Sequence, residues 1–324
     1  MSPRWPMVAV LVGAAAISWA LVFTACTRTP AEPNPATELA ATAESSHAAD
    51  LPGTSSDSGA PAPSPSPRPV DPAPPAYDPS IIPRWIAAAS GAVPELNPVS
   101  IEQDLTLAAQ VLGPGGRVLF GAGPGTPTVQ VLAPPAVRDP IVGALGELFS
   151  PRGGRDLRYR ATTLNHAEPA TADTLVRALD HALAGSTQPL LVYLGGHGNL
   201  GDQPRHNSIS LWAQSEINAA DLAARLDRSP RPVRLVMTTC FSGGFAELVF
   251  RDADPSLGAT PNDRCGLFAA PWDLEATGCD PNPDRAAQEG YGLHFLNALR
   301  GSDRDGKPLP LPAVDLDGDG DIIA

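Results

Sequence analysis

Leu190-Leu191-Val192-Tyr193-Leu194-Gly195-Gly196-His197-Gly198 is the stretch on which the fold turns. Its apolar half is continuous and does not alternate with polar residues. A short run of that kind reads as a strand covered on both faces, the situation of a strand inside a parallel sheet. The plan recurs downstream in Val233-Arg234-Leu235-Val236-Met237-Thr238-Thr239-Cys240-Phe241-Ser242-Gly243-Gly244. Each apolar strand ends abruptly in a reactive side chain beside glycines, which permit sharp turns and close approach of another backbone.

Outward from these two runs, strand and helix patterns alternate. A helix is expected from Ser100, with Gln103 as its capping-box partner. Strands are expected at 117–122, 129–132 and 157–162. Asp139-Pro140 is placed to cap and start a helix running to Phe149. A helix at 172–183 sets Leu175, Leu179 and Leu183 on one face. Further helices are expected at 215–226 and 285–299. This alternation implies right-handed crossovers and an α/β fold with a mostly parallel central sheet. In such sheets, sites form beyond the carboxyl ends of the strands, where His197 and Cys240 fall.

Taken separately, a strand-end cysteine is most often a packed small hydrophobe and a single histidine a structural donor. Taken together they are a thiol and an imidazole at two strand ends, and an imidazole on an adjacent strand end could supply the base that a thiol nucleophile needs. The two blocks, in this order and within a βα alternation, resemble the peptidase superfamily of caspases, legumains, clostripain and gingipains. The resemblance covers roughly residues 117–299. It implies a caspase-like three-layer αβα sandwich and a cysteine endopeptidase working through a thioester. Cys240 would be the nucleophile and His197 the general acid/base. The backbone N–H groups of Gly198 and Cys240 would form the oxyanion hole. In legumain-like enzymes a later small-residue strand lines the substrate pocket, and Gly266 to Ala270 looks similar. Trp272, Asp273 and Glu275 would then lie near that pocket, where acidity would favour a basic residue. Relatives often carry an acid or amide two residues before the nucleophile. Thr238 stands there in this chain, which leaves the preferred substrate residue open. The rival reading is a caspase-like domain without activity that binds proteins at a surface. A zinc-dependent hydrolase is a third, disfavoured because no Cys-x-x-Cys spacing occurs.

The chain begins with Arg4 and an apolar run of 17 residues, 7–23, that ends in Thr24-Ala25-Cys26. This is the layout of an export signal, and it resembles a bacterial lipoprotein signal, residues 1–25, with Cys26 as the lipidated residue. An uncleaved membrane anchor is the alternative, since about 17–25 residues span a bilayer. Either reading exports the rest to the cell envelope, anchored at a membrane. Residues 26–84 alternate proline with small residues, as in Ala60-Pro61-Ala62-Pro63-Ser64-Pro65, and read as a disordered spacer. The folded domain is then 85–324. Cys265 and Cys279 could form a disulfide in an exported domain, leaving Cys240 free.

The 324-residue chain carries 35 acidic and 22 basic side chains, a net charge of −13. The deficit of basic charge excludes a nucleic-acid partner; the expected partners are a peptide or protein substrate and a membrane. Gly121-Ala122-Gly123-Pro124-Gly125 precedes a strand-like run, not a helix, so it is not a phosphate loop. His47, His166, His181, His206 and His294 carry no partner signal. Catalysis of this type requires no cofactor. Near the end, Asp315, Asp317, Asp319 and Asp321 occupy positions 1, 3, 5 and 7 of a calcium loop, with Gly320 at its turn. The motif spans 315–324 and lacks the final glutamate within the chain, so calcium and a plain acidic turn both stand.

Overall fold

A computed structural model describes residues 80–134, 140–149 and 155–310, together with the backbone of 9–11 and 22–26. The calcium-loop motif, the Asp139 cap and almost all of the proline-rich spacer lie outside the described residues.

The centre is a sheet of five parallel strands. Its strands are β3 (Trp85–Ser90), β4 (Gly116–Phe120), β7 (Leu190–Gly196), β11 (Val233–Met237) and β12 (Arg264–Phe268), in spatial order β4-β3-β7-β11-β12. At the β12 edge the sheet is extended antiparallel by β2 (Val22–Cys26) and then β1 (Ala9–Leu11). Two small antiparallel sheets flank it: β5 (Pro127–Leu132) with β6 (Leu157–Ala161), and β8 (Gly198–Asn199), β9 (Ser208–Leu211) and β10 (Ser215–Asn218).

Helices cover both faces. On one, α3 (Ala172–Gly185) and α4 (Ala219–Leu226) bury Leu175, Leu179, Leu222 and Leu226 against Ile86, Leu190, Val192 and Leu235. On the other, α1 (Val99–Leu112) and α5 (Tyr291–Leu299) pack Leu105, Ala108 and Leu296 against Ala87, Ala89, Tyr193 and Val236. A fully buried leucine of this kind stabilises by about 1.5–3 kcal/mol, so the two apolar faces fix where each helix docks. The remaining helix, α2 (Pro140–Phe149), carries Ile141, Leu148 and Phe149 exposed. The fold is thus an α/β three-layer sandwich with a parallel core, as the alternation predicts.

Three local expectations are corrected, and one strand was not expected. Ser100 and Gln103 do not form a capping box. The Ser100 hydroxyl accepts from the Asp280 N–H, and the Gln103 amide donates to the Pro283 carbonyl. Both side chains are diverted to hold a distant loop, and α1 starts at Val99 without a side-chain cap. Residues 215–218 are a strand, and α4 begins after Asn218, whose side chain caps it by accepting from the Asp221 N–H. The late helix starts at Tyr291, because Gly290 and the turn before it break the pattern. The Ala-rich segment 85–90, which has no clear strand signature, is β3, paired between β4 and β7.

Gly121-Ala122-Gly123-Pro124-Gly125 makes turns leading into β5, with no helix opening behind it. Arg231, almost wholly buried, donates to the carbonyls of Pro83, Ala182 and Gln188 and so pins the entry of the chain into β3. No described helix is long and apolar enough to cross a membrane.

Candidate active site

The sheet register brings the two reactive strand ends together. β7 and β11 are adjacent and parallel, Leu194 lies opposite Met237, and the Thr238 N–H continues the ladder by donating to the Leu194 carbonyl at 2.9 Å. Three residues beyond this pair, His197 and Cys240 each follow at the carboxyl edge. The strand order reverses between β3 and β7, whose carboxyl end carries His197, since the chain leaves β3 for β4 on one side and reaches β7 on the other. The site therefore sits where open α/β sheets form their crevice.

Close packing of backbone makes glycine necessary at two positions. Gly196 has φ +105, and a Cβ there would lie 2.2 Å from the Ser90 carbonyl oxygen. A Cβ on Gly198 would lie 2.0 Å from the carbonyl oxygen of Cys240. Gly198→Ala is therefore expected to push the Cys240 backbone outward. Displacements of about 1 Å can cost about 100-fold in turnover, so labelling of Cys240 by a thiol electrophile should slow markedly. Unchanged labelling in a folded variant would contradict this coupling. Just after Cys240, Phe241 is held in the left-handed region (φ 56). Its N–H donates to the Leu274 carbonyl and its own carbonyl accepts from the Asn207 amide, at 2.8 and 2.9 Å. Such strain turns the chain sharply behind the thiol and persists only because neighbours enforce it.

His197 is held by the turn that follows β3. Its Nε2–H donates to the Leu96 carbonyl at 2.8 Å, which leaves the Nδ1 lone pair of the neutral ring facing the cleft. Burial holds the imidazole below its ordinary pKa of 6.5, and the Leu96 carbonyl pulls weakly the other way. The neutral form is thus favoured in the folded state. Because the unfolded chain binds this proton more readily, the stability contribution is full above pH 6.5 and is lost as pH falls through the lower folded value. Denaturation midpoints taken across that range should drop on the acid side for the wild type and drop less for His197→Gln. Equal slopes would remove His197 as the source.

The Cys240 sulfur is hydrogen-bonded by Ala276 of the loop after β12. The Ala276 N–H points to it at 3.3 Å, and the Ala276 carbonyl is 3.5 Å away. Cys240 and His197 make no hydrogen bond with each other in this state. Instead Nδ1 lies 3.9 Å from the sulfur of Cys279. Residues 276–279 therefore lie across the ends of β7 and β11.

Beside Cys240 lies a narrow cavity of about 20 Å³, bordered among others by Asp104, Tyr193, Thr238, Cys240, Cys279 and Gly292. The Asp104 carboxyl stands 2.7 Å from Arg285 Nη1, close but off hydrogen-bonding angle. Burial raises its pKa, and Arg285 opposes that shift. Burial, followed by the Asp104 charge, also raises the pKa of Tyr193, whose hydroxyl is 3.5 Å from the Thr238 hydroxyl.

Of the pocket residues expected from sequence, Thr238 borders this cavity. Trp272, Asp273 and Glu275 are exposed and are not among its lining residues. Asp104 and Tyr193 were missed. The available signal was Asp104 itself, an acid three residues after Ile101 on the Ile101, Leu105, Ala108 apolar stripe of α1.

The expected Cys265–Cys279 disulfide is not made. Cys279 is a free, exposed residue at the cavity, whereas Cys265 is disulfide-bonded within edge strand β12, opposite Cys26 in the β2 register. The sheet carries Cys265 away along the strand, and the following loop returns Cys279 to the carboxyl edge beside the cavity. Among the described residues, no group of three or more His, Cys, Asp or Glu side chains could hold a metal ion. No protein-family model matches the chain, and comparison with curated proteins finds no match.

Proposed function

We infer that this chain is a cysteine endopeptidase of the caspase/legumain kind, with Cys240 as nucleophile and His197 as general acid/base. The observation that carries the reading is the parallel pairing of β7 with β11, so that both residues follow adjacent strands at the carboxyl edge of the sheet. In the reaction, the Cys240 thiol passes its proton to His197 Nδ1 as its sulfur adds to the substrate carbonyl carbon. Backbone N–H groups at Gly198 and Cys240 take the developing oxyanion. Protonated Nδ1 of His197 gives its proton to the leaving amine as the C–N bond breaks, leaving a thioester. Water, deprotonated by the same nitrogen, then releases the acid and restores the thiol. Residues 276–279 must yield the cleft to the substrate first.

A second reading has one observation in its favour: the Cys240 sulfur is bound by Ala276 and not by His197. That arrangement also fits an inactive domain that binds proteins. The full-length chain incubated with a mixed peptide library, with and without calcium, separates the two. Cleavage together with thiol labelling of Cys240 supports the peptidase; neither signal in folded protein supports the binding domain.

The same reading makes the protein exported and tethered by the 26–84 spacer, with lipid at Cys26 only where that sulfur is not the disulfide partner of Cys265, which it faces in the β2 register. Its partners are then peptide substrates and a membrane, with calcium as an accessory ion at Asp315, Asp317, Asp319 and Asp321. The Cys26 peptide should carry acyl mass in membrane extracts. Recovery of that peptide linked through sulfur to Cys265 would overturn the anchor.

A further inference from the structure

The mechanism uses one thiol, yet the cavity beside it holds two. Cys240 and Cys279 both border it, and both are free. Cys279 follows Ala276, whose N–H rests on the Cys240 sulfur at 3.3 Å, by three residues. Three residues span at most about 10 Å of extended chain, so the two cysteines are neighbours. Gly278 lies between them at φ +134, a conformation that lets the loop redirect the next side chain. The Cys279 sulfur faces inward, although the residue as a whole is exposed. It lies 4.0 Å from the Gly196 carbonyl and 3.9 Å from His197 Nδ1.

We propose that Cys279 is a resolving cysteine, which closes a reversible disulfide with Cys240 when a hydroperoxide oxidises the nucleophile. The proposal requires Cys240 to be a reactive thiol, as the peptidase reading does, but it does not require that any peptide be cleaved. In the first step the Cys240 sulfur attacks the outer peroxide oxygen. The O–O bond breaks, the departing alkoxide or hydroxide takes up a proton, and Cys240 becomes a sulfenic acid. In the second step the Cys279 sulfur attacks that sulfur. Its proton passes to His197 Nδ1 and on to the departing hydroxide, which leaves as water. Two thiols are oxidised by two electrons and one peroxide is reduced. Burial, with the charges of Cys240 and Asp104, pushes the Cys279 thiol up to about 12. It is therefore inert until a base such as His197 draws its proton, whereas a sulfenic acid beside it offers a ready target. The bond blocks the cleft and spares Cys240 from irreversible oxidation.

The test uses the full-length chain treated with hydrogen peroxide, alkylated, and mapped by mass spectrometry without reductant. The expected result is a linked Cys240–Cys279 peptide, complete loss of Cys240 labelling, and full return of labelling after dithiothreitol. In Cys279→Ser, peroxide should instead carry Cys240 to sulfinic and sulfonic acids that dithiothreitol does not recover. Wild type that reaches those acids with no linked peptide overturns the proposal, as does Cys279→Ser that recovers as fully as wild type. These readouts are masses, so a disulfide found in a chain that cleaves no peptide sustains this inference while the peptidase reading fails. Circular dichroism of both proteins before oxidation checks that the serine variant is folded.

Discussion

Cys240→Ala is expected to reduce peptide cleavage at least about 10³-fold without loss of fold, since removal of a covalent nucleophile commonly costs that much or more. The residue is only partly buried and sits after the last ladder bond of β11, so no core packing goes with it. Alanine deletes the atom that would form the thioester and leaves the sheet, His197 and the glycine turns in place. What activity remains would come from backbone donors and binding alone, which leave a small residue of rate in other hydrolases. The measurement is kcat/KM on the best library peptide, beside thermal unfolding of both proteins. Cleavage by the alanine variant at wild-type rate would assign the activity to another group or to a contaminant. Full-length protein is the right sample, because residues 276–279 cover the thiol and shortened chains could change how they do so.

Glu102→Ala is expected to cost about 3 kcal/mol of stability, from the loss of several hydrogen bonds to a charged group. Glu102 lies on α1 and is almost completely buried. Its carboxylate accepts from both terminal nitrogens of Arg160, from the Thr162 hydroxyl at 2.6 Å and from the Thr163 N–H at 2.7 Å. Deletion strands a buried hydroxyl and a backbone N–H. The Arg160 side chain is 38% exposed and can turn to water, which keeps the cost below that of a fully buried broken pair. For a domain of this size the loss corresponds to roughly 6–12 °C in melting temperature. Because α1 also carries Asp104 beneath the cavity, residual activity should fall with the melt and not before it. An unchanged melting temperature would show that the network adds nothing net.

Much of the architecture could be read directly. Continuous apolar runs at β7 and β11, and the leucine stripe of α3, have periods that only one packing satisfies, so they stand where expected. Segment 85–90 could not be read this way. Its alanines carry little strand preference, and small side chains are needed there because helices press on both faces of the sheet. Ser215 to Asn218 was drawn into the following helix for a related reason: four residues show no period, and β9 makes them a strand by offering hydrogen bonds. The capping pair Ser100 and Gln103 obeys a local rule that a distant loop overrides.

At the site, His197, Cys240, Thr238 and the adjoining glycines were visible because strand-end position is a local property. Asp104, Tyr193 and the carbonyl of Leu96 come from three other segments, and no spacing in the chain announces that they meet. The disulfide was misassigned by the same blindness. Cys265 and Cys279 are close in sequence, but one is held in β12 beside β2 and the other by a loop folded back over the carboxyl edge of the sheet. The sequence by itself determined the α/β alternation and the two reactive strand ends, since hydrophobic period and backbone chemistry act over a few residues. Only the tertiary structure decided which strands are neighbours, which nitrogen of His197 faces the cleft and which thiol lies beside Cys240. Those depend on contacts between residues far apart in the chain, which are made when the faces of the sheet are buried.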